Sequence, residues 1–312
     1  MADLIRGKKI LVTGGTGFIG GHLVKRLEDL GNEICVIVKR QPLNNNLDAS
    51  NTFYKPVEIS DYSSIDSVIK QFRPNVIFHL GAIVTASREF SLIDKMIEVN
   101  LTGTTNILRS ISELQELEVM INLGSSEEYG NQSIELKETV REEPSSPYAI
   151  FKLATTKLCN IFSLIYNLPI ITIRPANIFG HGQALDKFIP YVINKCLNNE
   201  QINMTLGEQK RNFLYVEDFV NAILLIASKE RRLEQIYNVG SDSTLTLKEI
   251  TETIKRLAHS NSHINYGAIE YRTNEMMAFN MNIDKIIDLG WKQEYDLIES
   301  LKKTIEFYKR GL

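Results

Sequence analysis

The chain has little of several things that would settle its chemistry quickly. Its three cysteines, Cys35, Cys159 and Cys196, lie far apart in apolar or helical settings. That scatter argues against a disulfide framework or a thiolate metal site and points to buried thiols. Of five histidines only His259 and His263 are spaced like ligands, and AHSNSH offers no neighbouring carboxylate or cysteine, so a polar turn without metal is expected. Charge of neither sign gathers into a block: 35 Lys and Arg stand against 38 Asp and Glu, a formal −3 spread along the chain, which speaks against a nucleic-acid partner. The opening MADLIRGKKILVTGG holds too few apolar residues for a signal-peptide core or a membrane span, so a soluble, cytoplasmic chain with no membrane partner is expected. Internal repeats, low-complexity tracts and obvious linkers are also missing.

What is present is enough apolar material for a substantial core, 43% of 312 residues, in one large or two fused domains. Apolar runs alternate with helix-like stretches: KKILVTG, a periodic stretch from Ile19 to Leu30, EICVIV, a helix, then NVIFHL. Continuous Val- and Ile-rich runs suit strands buried on both faces, and their alternation with helices predicts an α/β fold with a Rossmann-type, doubly wound parallel sheet. Further strands are expected near 119–124, 168–175 and 235–240, with long helices over about 92–116 and 148–167. After Pro175 the texture changes to a loop, ANIFGHGQ, a helix from Phe188 to Asn198, and strands around a turn in QINMTLGEQKRNFLYVED. This predicts a dinucleotide-binding domain over 1–176 plus about 213–240. A smaller, non-contiguous C-terminal α/β substrate domain would take about 177–212 and 241–312, with the ligand in the cleft between them.

TGGTGFIG at 13–20 follows the first strand and opens the first helix, with Gly14, Gly17 and Gly20 evenly spaced. Glycine is needed where the chain turns sharply and its amides approach a pyrophosphate favoured by the helix N-terminus. Thr16, Phe18 and Ile19 belong to the same loop. Enzymes specific for NAD commonly place an acid at the end of the second strand; here Val38 stands there, followed by Lys39 and Arg40. That basic pair suits a 2′-phosphate and predicts NADP, with NAD as the alternative; an ordinary solvated loop is the plain reading of the same two residues.

HLGA at 79–82, VNLTGT at 99–104, GSSEEYG at 124–130 and SPYAIFK at 146–152 join TGGTGFIG in a pattern that resembles the NAD(P)-dependent epimerase/dehydratase family, extended short-chain dehydrogenases acting on nucleotide sugars. The resemblance covers nearly the whole chain. Its most specific part is Tyr148 and Lys152, four residues apart, preceded by Ser125. Residues at that spacing share a helix face. A cation about 4 Å from a phenol is worth roughly 4 kcal/mol at intermediate dielectric, about three pKa units, which predicts a Tyr148 lowered towards its working range.

The resemblance implies roles for single residues. Tyr148 exchanges the proton on the sugar oxygen, Lys152 also holds the nicotinamide ribose, and Ser125 bonds the same oxygen. Glu58 and Ile59, read as ending the third strand, match a pair beside the adenine. Leu80, Gly81 and Ala82 match the segment lining the cofactor, Asn100 a buried Asn near it, and Pro175 the strand end bordering nicotinamide. On the substrate side stand Ser126 and Asn177, with Arg211 and Arg272 as a guanidinium clamp for the diphosphate. Packing is the plain alternative for the buried positions, and surface ion pairing for the arginines. The family also implies a homodimer through the two long helices, which carry Leu101, Ile107, Leu158 and Phe162.

Within the family, Glu127 occupies the place of a catalytic acid in 4,6-dehydratases, yet GSSEEYG also resembles GDP-6-deoxy-4-ketohexose reductases. KFIPYVINKCL, RNFLYVEDFVNA and GAIEYRTNEMM resemble the CDP-abequose synthases, reductases of 4-keto-6-deoxy sugar nucleotides. The expectation is therefore NADPH-dependent reduction of a nucleotide-linked 4-keto-6-deoxyhexose at C4. A 4,6-dehydratase and a 4-epimerase are the alternatives, and a non-catalytic dinucleotide sensor is disfavoured by the retained Ser125, Tyr148 and Lys152.

Overall fold

A computed structural model describes residues 5–40, 51–85, 90–132, 134–233, 235–272 and 275–311. In chain order the regular elements begin β1 (Lys9–Thr13), α1 (Phe18–Asp29), β2 (Glu33–Val38), β3 (Thr52–Pro56), α2 (Tyr62–Phe72), β4 (Val76–His79), α3 (Ile93–Met96), α4 (Gly103–Ile111) and β5 (Val119–Leu123). They continue with α5 (Pro147–Tyr166), β6 (Ile170–Pro175), β7 (Asn177–Phe179), α6 (Phe188–Leu197), β8 (Ile202–Met204), β9 (Lys210–Arg211), β10 (Phe213–Tyr215) and α7 (Val216–Lys229). The last are β11 (Gln235–Val239), β12 (Leu245–Thr246), α8 (Leu247–Leu257), β13 (Ile264–Tyr266), α9 (Asp284–Asp288) and α10 (Leu297–Arg310).

The chain divides into two compact units. The first comprises 1–130, 141–175 and 220–238, and the second 131–140, 176–219 and 239–312. The short segment 131–140 thus goes with the second unit, as do 213–219.

Seven strands form one sheet in the order β11, β6, β5, β4, β1, β2, β3, and the pairs from β3 across to β6 are parallel. The order reverses direction between β1 and β4, the switch point at which doubly wound sheets bind ligands. Both faces are covered, which is why these strands read as unbroken apolar runs. Leu11, Ile37 and Ile77 join Ile65 and Ile69 of α2, Ile107, Leu108 and Ile111 of α4 and Cys159 of α5 in one core. Val12 and Val36 turn the other way, towards Val24 of α1 around Gly15.

The helix expected over 92–116 is broken into pieces: between α3 and α4 the chain widens into a π-helical stretch, Ile97–Thr102, and α4 ends at Ile111. Glu58 and Ile59 lie beyond the end of β3, which stops at Pro56. The apolar residues expected to meet a second copy also need correcting, since Ile107 is in the core and Leu158 and Phe162 pack against it. The face that α5 leaves exposed carries Ile150, Ile161, Leu164 and Ile165 instead. Helix α5 is long and apolar enough to cross a membrane, but its other face is occupied by Tyr148, Lys152, Thr155, Thr156, Cys159 and Ser163, all buried.

In the second unit β7 pairs with β10 and β8 with β13, both parallel, and β9 pairs with β12 antiparallel. Helices α6, α8 and α10 pack on one another. Leu136 enters this unit by exchanging backbone hydrogen bonds with Asn280 and Asn282.

A buried histidine locks the ends of β1 and β4. The Thr104 hydroxyl donates to the Asn100 carbonyl at 2.6 Å, so its oxygen accepts from His79 Nε2 at 2.9 Å. His79 Nδ1 then accepts from the Thr13 hydroxyl at 2.7 Å, whose oxygen takes the Gly81 amide at 3.0 Å. The chain of bonds needs a neutral ring in one tautomer. Burial, with the nearby charge of Lys152, pushes the His79 pKa down to about 3. Below the ordinary histidine range the unfolded chain takes up a proton that the folded chain refuses, so stability falls as pH drops from about 6.5. Between pH 7.5 and pH 5 this one group should cost about 2 kcal/mol. Urea unfolding at both pH values should show that loss in the parent and not in a His79→Gln variant. Equal losses in the two proteins would contradict the buried neutral ring.

Candidate active site

The glycine loop leaves β1 at the switch point, and its geometry leaves no room for side chains. Gly14 has φ +72°, and a Cβ there would lie 2.8 Å from the Gly81 amide. A Cβ on Gly20 would collide with the Gly14 carbonyl oxygen. At the start of α1, Gly17 caps the helix without a side-chain bond, and the first turn, with half-buried Phe18 and Ile19, has no acidic residue. Thr16 is exposed beside it. A helix N-terminus with no side-chain cap and no acidic residue in its first turn suits a pyrophosphate, so the loop fits the dinucleotide that the sequence implies.

Of the other expected cofactor residues, Leu80 and Gly81 lie against Gly14. Lys39 and Arg40 follow the last residue of β2 and are exposed, and Lys39 pairs with Glu58 at 3.4 Å. Such an exposed pair is worth at most about 1 kcal/mol, so Lys39 remains available to a phosphate. Ile59 packs on the bare Cα of Gly103, and its carbonyl accepts from Asn106 at 3.1 Å. Leu80, Gly81 and Ala82 continue β4, and Asn100 pins the next residue: its amide accepts from the Ile83 N–H at 2.7 Å and donates to the Ile83 carbonyl at 3.2 Å. Pro175 is the last residue of β6.

Ser125, Tyr148 and Lys152 come together where β5 ends and α5 begins. Ser146 caps α5 by accepting from the Ala149 N–H at 3.1 Å, Pro147 opens it, and Tyr148 follows in the first turn. Lys152, one turn on, is buried and donates to the Leu123 carbonyl at 2.5 Å. Burial pushes the Lys152 pKa down to about 8, against the opposing charge of Glu128. Tyr148 is buried too and hydrogen-bonded to Ser125.

The expected lowering of the Tyr148 pKa is not found. Burial raises it first, the Glu127 carboxylate adds to the rise, and the Ser125 hydrogen bond offsets only part. A phenolate is costly in so dry a place, and the nearby acid makes it costlier. Glu127 itself is exposed and accepts from the Ser146 hydroxyl at 3.3 Å, which sets it beside the N-terminus of α5. Ser126 is buried.

Sequence reasoning missed the group beneath these residues. Glu128 has no solvent exposure, and its carboxylate accepts from the Ser125 N–H at 2.8 Å, the Thr156 hydroxyl at 3.0 Å and Arg174 Nε at 2.9 Å. Arg174, equally buried, also reaches Glu142 at 2.7 Å and lies over the Tyr129 ring at 4.5 Å. The available signal was a cation inside the apolar strand IITIRP, since an arginine there must bring an acid with it.

Of the expected substrate-side residues Ser126 lies in the first unit, and Asn177, Arg211 and Arg272 lie in the second. Asn177 begins β7 and its amide donates to the Asn212 carbonyl at 3.3 Å. Arg211 is engaged, with Nη1 donating to the Met276 carbonyl at 2.6 Å and Nη2 paired with Glu275. Arg272 is exposed.

Residues 10–240 match the family model described as the NAD dependent epimerase/dehydratase family. A CDP-abequose synthase of Salmonella muenchen is 30% identical over 305 residues, covering 96% of this chain and 97% of that protein. The dTDP-D-glucose 4,6-dehydratase of Bos taurus is 29% identical over 320 residues, covering 97% and 89%. Among solved structures, a UDP-glucose 4-epimerase of Thermotoga maritima with UDP-glucose superposes with a TM-score of 0.88 at 25% identity, covering 97% of this chain and 99% of that one. With a glycine loop at the switch point, the Ser125, Tyr148 and Lys152 group at β5 and α5, and a family match over most of its length, the chain belongs to the NAD dependent epimerase/dehydratase family.

Proposed function

We propose that this protein reduces a nucleotide-linked 4-keto-6-deoxyhexose at C4 with NADPH. The observation that carries the reading is Tyr148, a phenol that burial and Glu127 keep protonated beside Ser125. A ketone turning into an alcohol needs a proton donor at its oxygen, and the protonated Tyr148 phenol, hydrogen-bonded to Ser125, holds such a proton, which burial makes harder to release. The Ser125 hydroxyl orients the carbonyl and shares the negative charge that develops on it. Lys152, its own proton loosened by burial, holds the nicotinamide ribose and supports proton return to Tyr148. The bound dinucleotide supplies the hydride. Likeness to CDP-abequose synthase over nearly the full length of both chains supports the same direction.

NADP is proposed over NAD because Val38 stands where an acid would meet the ribose hydroxyls and Lys39 and Arg40 are exposed next to it. The nucleotide-sugar diphosphate is assigned to the second unit, with Arg211, Arg272 and Asn177 as candidates; Arg211 would exchange Glu275 for the ligand. We propose a cytoplasmic homodimer, for which the exposed Ile150, Ile161, Leu164 and Ile165 stripe of α5 and the three free, buried cysteines are the support. Light scattering at micromolar concentration should give twice the chain mass; a monomer would remove the dimer from the account.

A 4,6-dehydratase is the second reading, favoured by the Glu127 carboxylate next to Tyr148 and by the dTDP-D-glucose 4,6-dehydratase relative. Glu127 decides between them. A dehydratase needs that carboxyl group to remove a proton and a hydroxyl, whereas the reduction is complete without it. With NADPH and a panel of CDP-, GDP-, dTDP- and UDP-linked 4-keto-6-deoxy sugars, Glu127→Gln should keep more than about a tenth of the parental rate, a barrier increase below roughly 1.4 kcal/mol. Conversion of a nucleotide hexose to its 4-keto-6-deoxy form without added cofactor, stopped by Glu127→Gln, would establish the dehydratase instead.

The cofactor assignment has its own test. Charge-assisted phosphate contacts contribute roughly 1.5–3 kcal/mol each, so replacing Lys39 and Arg40 by Ala should weaken NADPH binding more than about tenfold and NADH binding much less. Titration calorimetry showing equal affinities of the parent for both cofactors would overturn it.

A further inference from the structure

Proton transfer at a shared oxygen requires Ser125 and Tyr148 to keep a fixed separation, yet they belong to different elements. Ser125 is on the turn that leaves β5, and Tyr148 is in the first turn of α5. Besides the Lys152 bond to the Leu123 carbonyl, these elements are joined by the Glu128 carboxylate. One of its oxygens takes the Ser125 backbone N–H at 2.8 Å. The other takes the hydroxyl of Thr156 on α5 at 3.0 Å and the guanidinium of Arg174 on β6 at 2.9 Å. Thr156 lies one turn beyond Lys152 and two beyond Tyr148, on the same buried face of the helix. Arg174 is held in turn by Glu142, which Lys157 of α5 also reaches at 2.8 Å. The packing is tight: a Cβ on Gly124 would come within 2.5 Å of the same Glu128 oxygen that holds Ser125.

The bond from Glu128 to the Ser125 N–H is one half of a capping box on the short turn Ser126–Tyr129, but capping does not require the second carboxylate oxygen to meet Thr156 and Arg174. A fully buried ion pair rarely stabilises a protein more than apolar side chains of the same volume, because removing both charges from water costs about what their attraction returns. What such a pair supplies is a fixed geometry, since each oxygen and each N–H must meet its partner in one way. Here the geometry fixed is that of the Ser125 backbone relative to α5.

We propose that Glu128 is a positioning residue, whose carboxylate, anchored by Arg174 and Thr156, sets the distance between the Ser125 hydroxyl and the Tyr148 phenol. This rests on the reading that both groups act on one substrate oxygen. A glutamine of the same shape cannot replace it: with its oxygen on the Ser125 N–H, its NH2 faces Arg174 Nε, and turned round, its NH2 faces Ser125. One bond must break, and the turn carrying Ser125 must shift.

A crystal structure of Glu128→Gln should show the Ser125 hydroxyl beyond hydrogen-bonding distance of Tyr148. In NADPH-dependent reduction kcat should fall about tenfold while KM for the sugar nucleotide changes less than about twofold. In a Ser125→Ala background the same substitution should cost less than about twofold, because there is no longer a hydroxyl to misplace. If Glu128→Gln fails to fold, Thr156→Val removes one anchor and leaves the ion pair; it should lower kcat about threefold in the parent and not in Ser125→Ala. An unmoved Ser125 in the variant crystal, or equal losses in both backgrounds, would overturn the proposal. The crystallographic result needs no turnover, so a parent that reduces no sugar would count against the proposed reaction and leave the positioning role to be decided by the structure.

Discussion

An ammonium group kept out of water has to be compensated at close range, and the junction of β5 and α5 is built around that requirement. Lys152 is buried, donates to the Leu123 carbonyl and feels the Glu128 carboxylate. For the bond to form, the start of α5 must lie against the end of β5, and the turn between them must pass without bulk at Gly124. The same approach carries Tyr148 to Ser125. Fold and the proposed chemistry thus share one constraint: the charge of Lys152, which α5 brings into the interior, is met by groups that also hold the turn after β5. Replacing Lys152 by an apolar residue would relieve the burial and lose the reason for the arrangement.

The protonated state of Tyr148 follows from this environment. Burial and Glu127 both disfavour the phenolate, while Lys152 gives up part of its own hold on a proton. In the proposed reduction Tyr148 would pass its proton to the substrate oxygen and Lys152, whose ammonium burial destabilises, would help replace it. His79 contributes differently. Neutral and doubly hydrogen-bonded, it fixes the ends of β1 and β4 against each other, where Gly14 and Gly81 approach too closely for side chains.

Features carried by short spacings were legible in the sequence. The strand, glycine turn and helix at 9–29, the alternation that made the sheet parallel, and the placing of Tyr148 and Lys152 on one helix all rest on residues within a few turns of one another. What was illegible depends on burial or on distant pairing. The sign of the Tyr148 shift was misjudged because a cation four residues away can be counted from sequence, whereas the burial that is the main cause of the rise cannot. Glu128 and Arg174 stand 46 residues apart, and a pair of adjacent glutamates does not announce which one is buried. The apolar residues of α5 were equally ambiguous: periodicity marks two apolar faces, and only packing showed that Leu158 and Phe162 meet the core while Ile161 and Ile165 do not.

The central claim is that hydride and proton are delivered across one carbonyl at C4, with Tyr148 as the proton donor. It is tested most directly by tracing the hydrogen. The protein is supplied with NADPH deuterated at the transferable position and a nucleotide-linked 4-keto-6-deoxyhexose, and the sugar product is read by NMR. The account predicts deuterium at C4, one atom for each NADPH consumed, and loss of that transfer in Tyr148→Phe. A sugar processed without deuterium at C4, carrying solvent hydrogen at C5 while the supplied NADPH stays unspent, would contradict it.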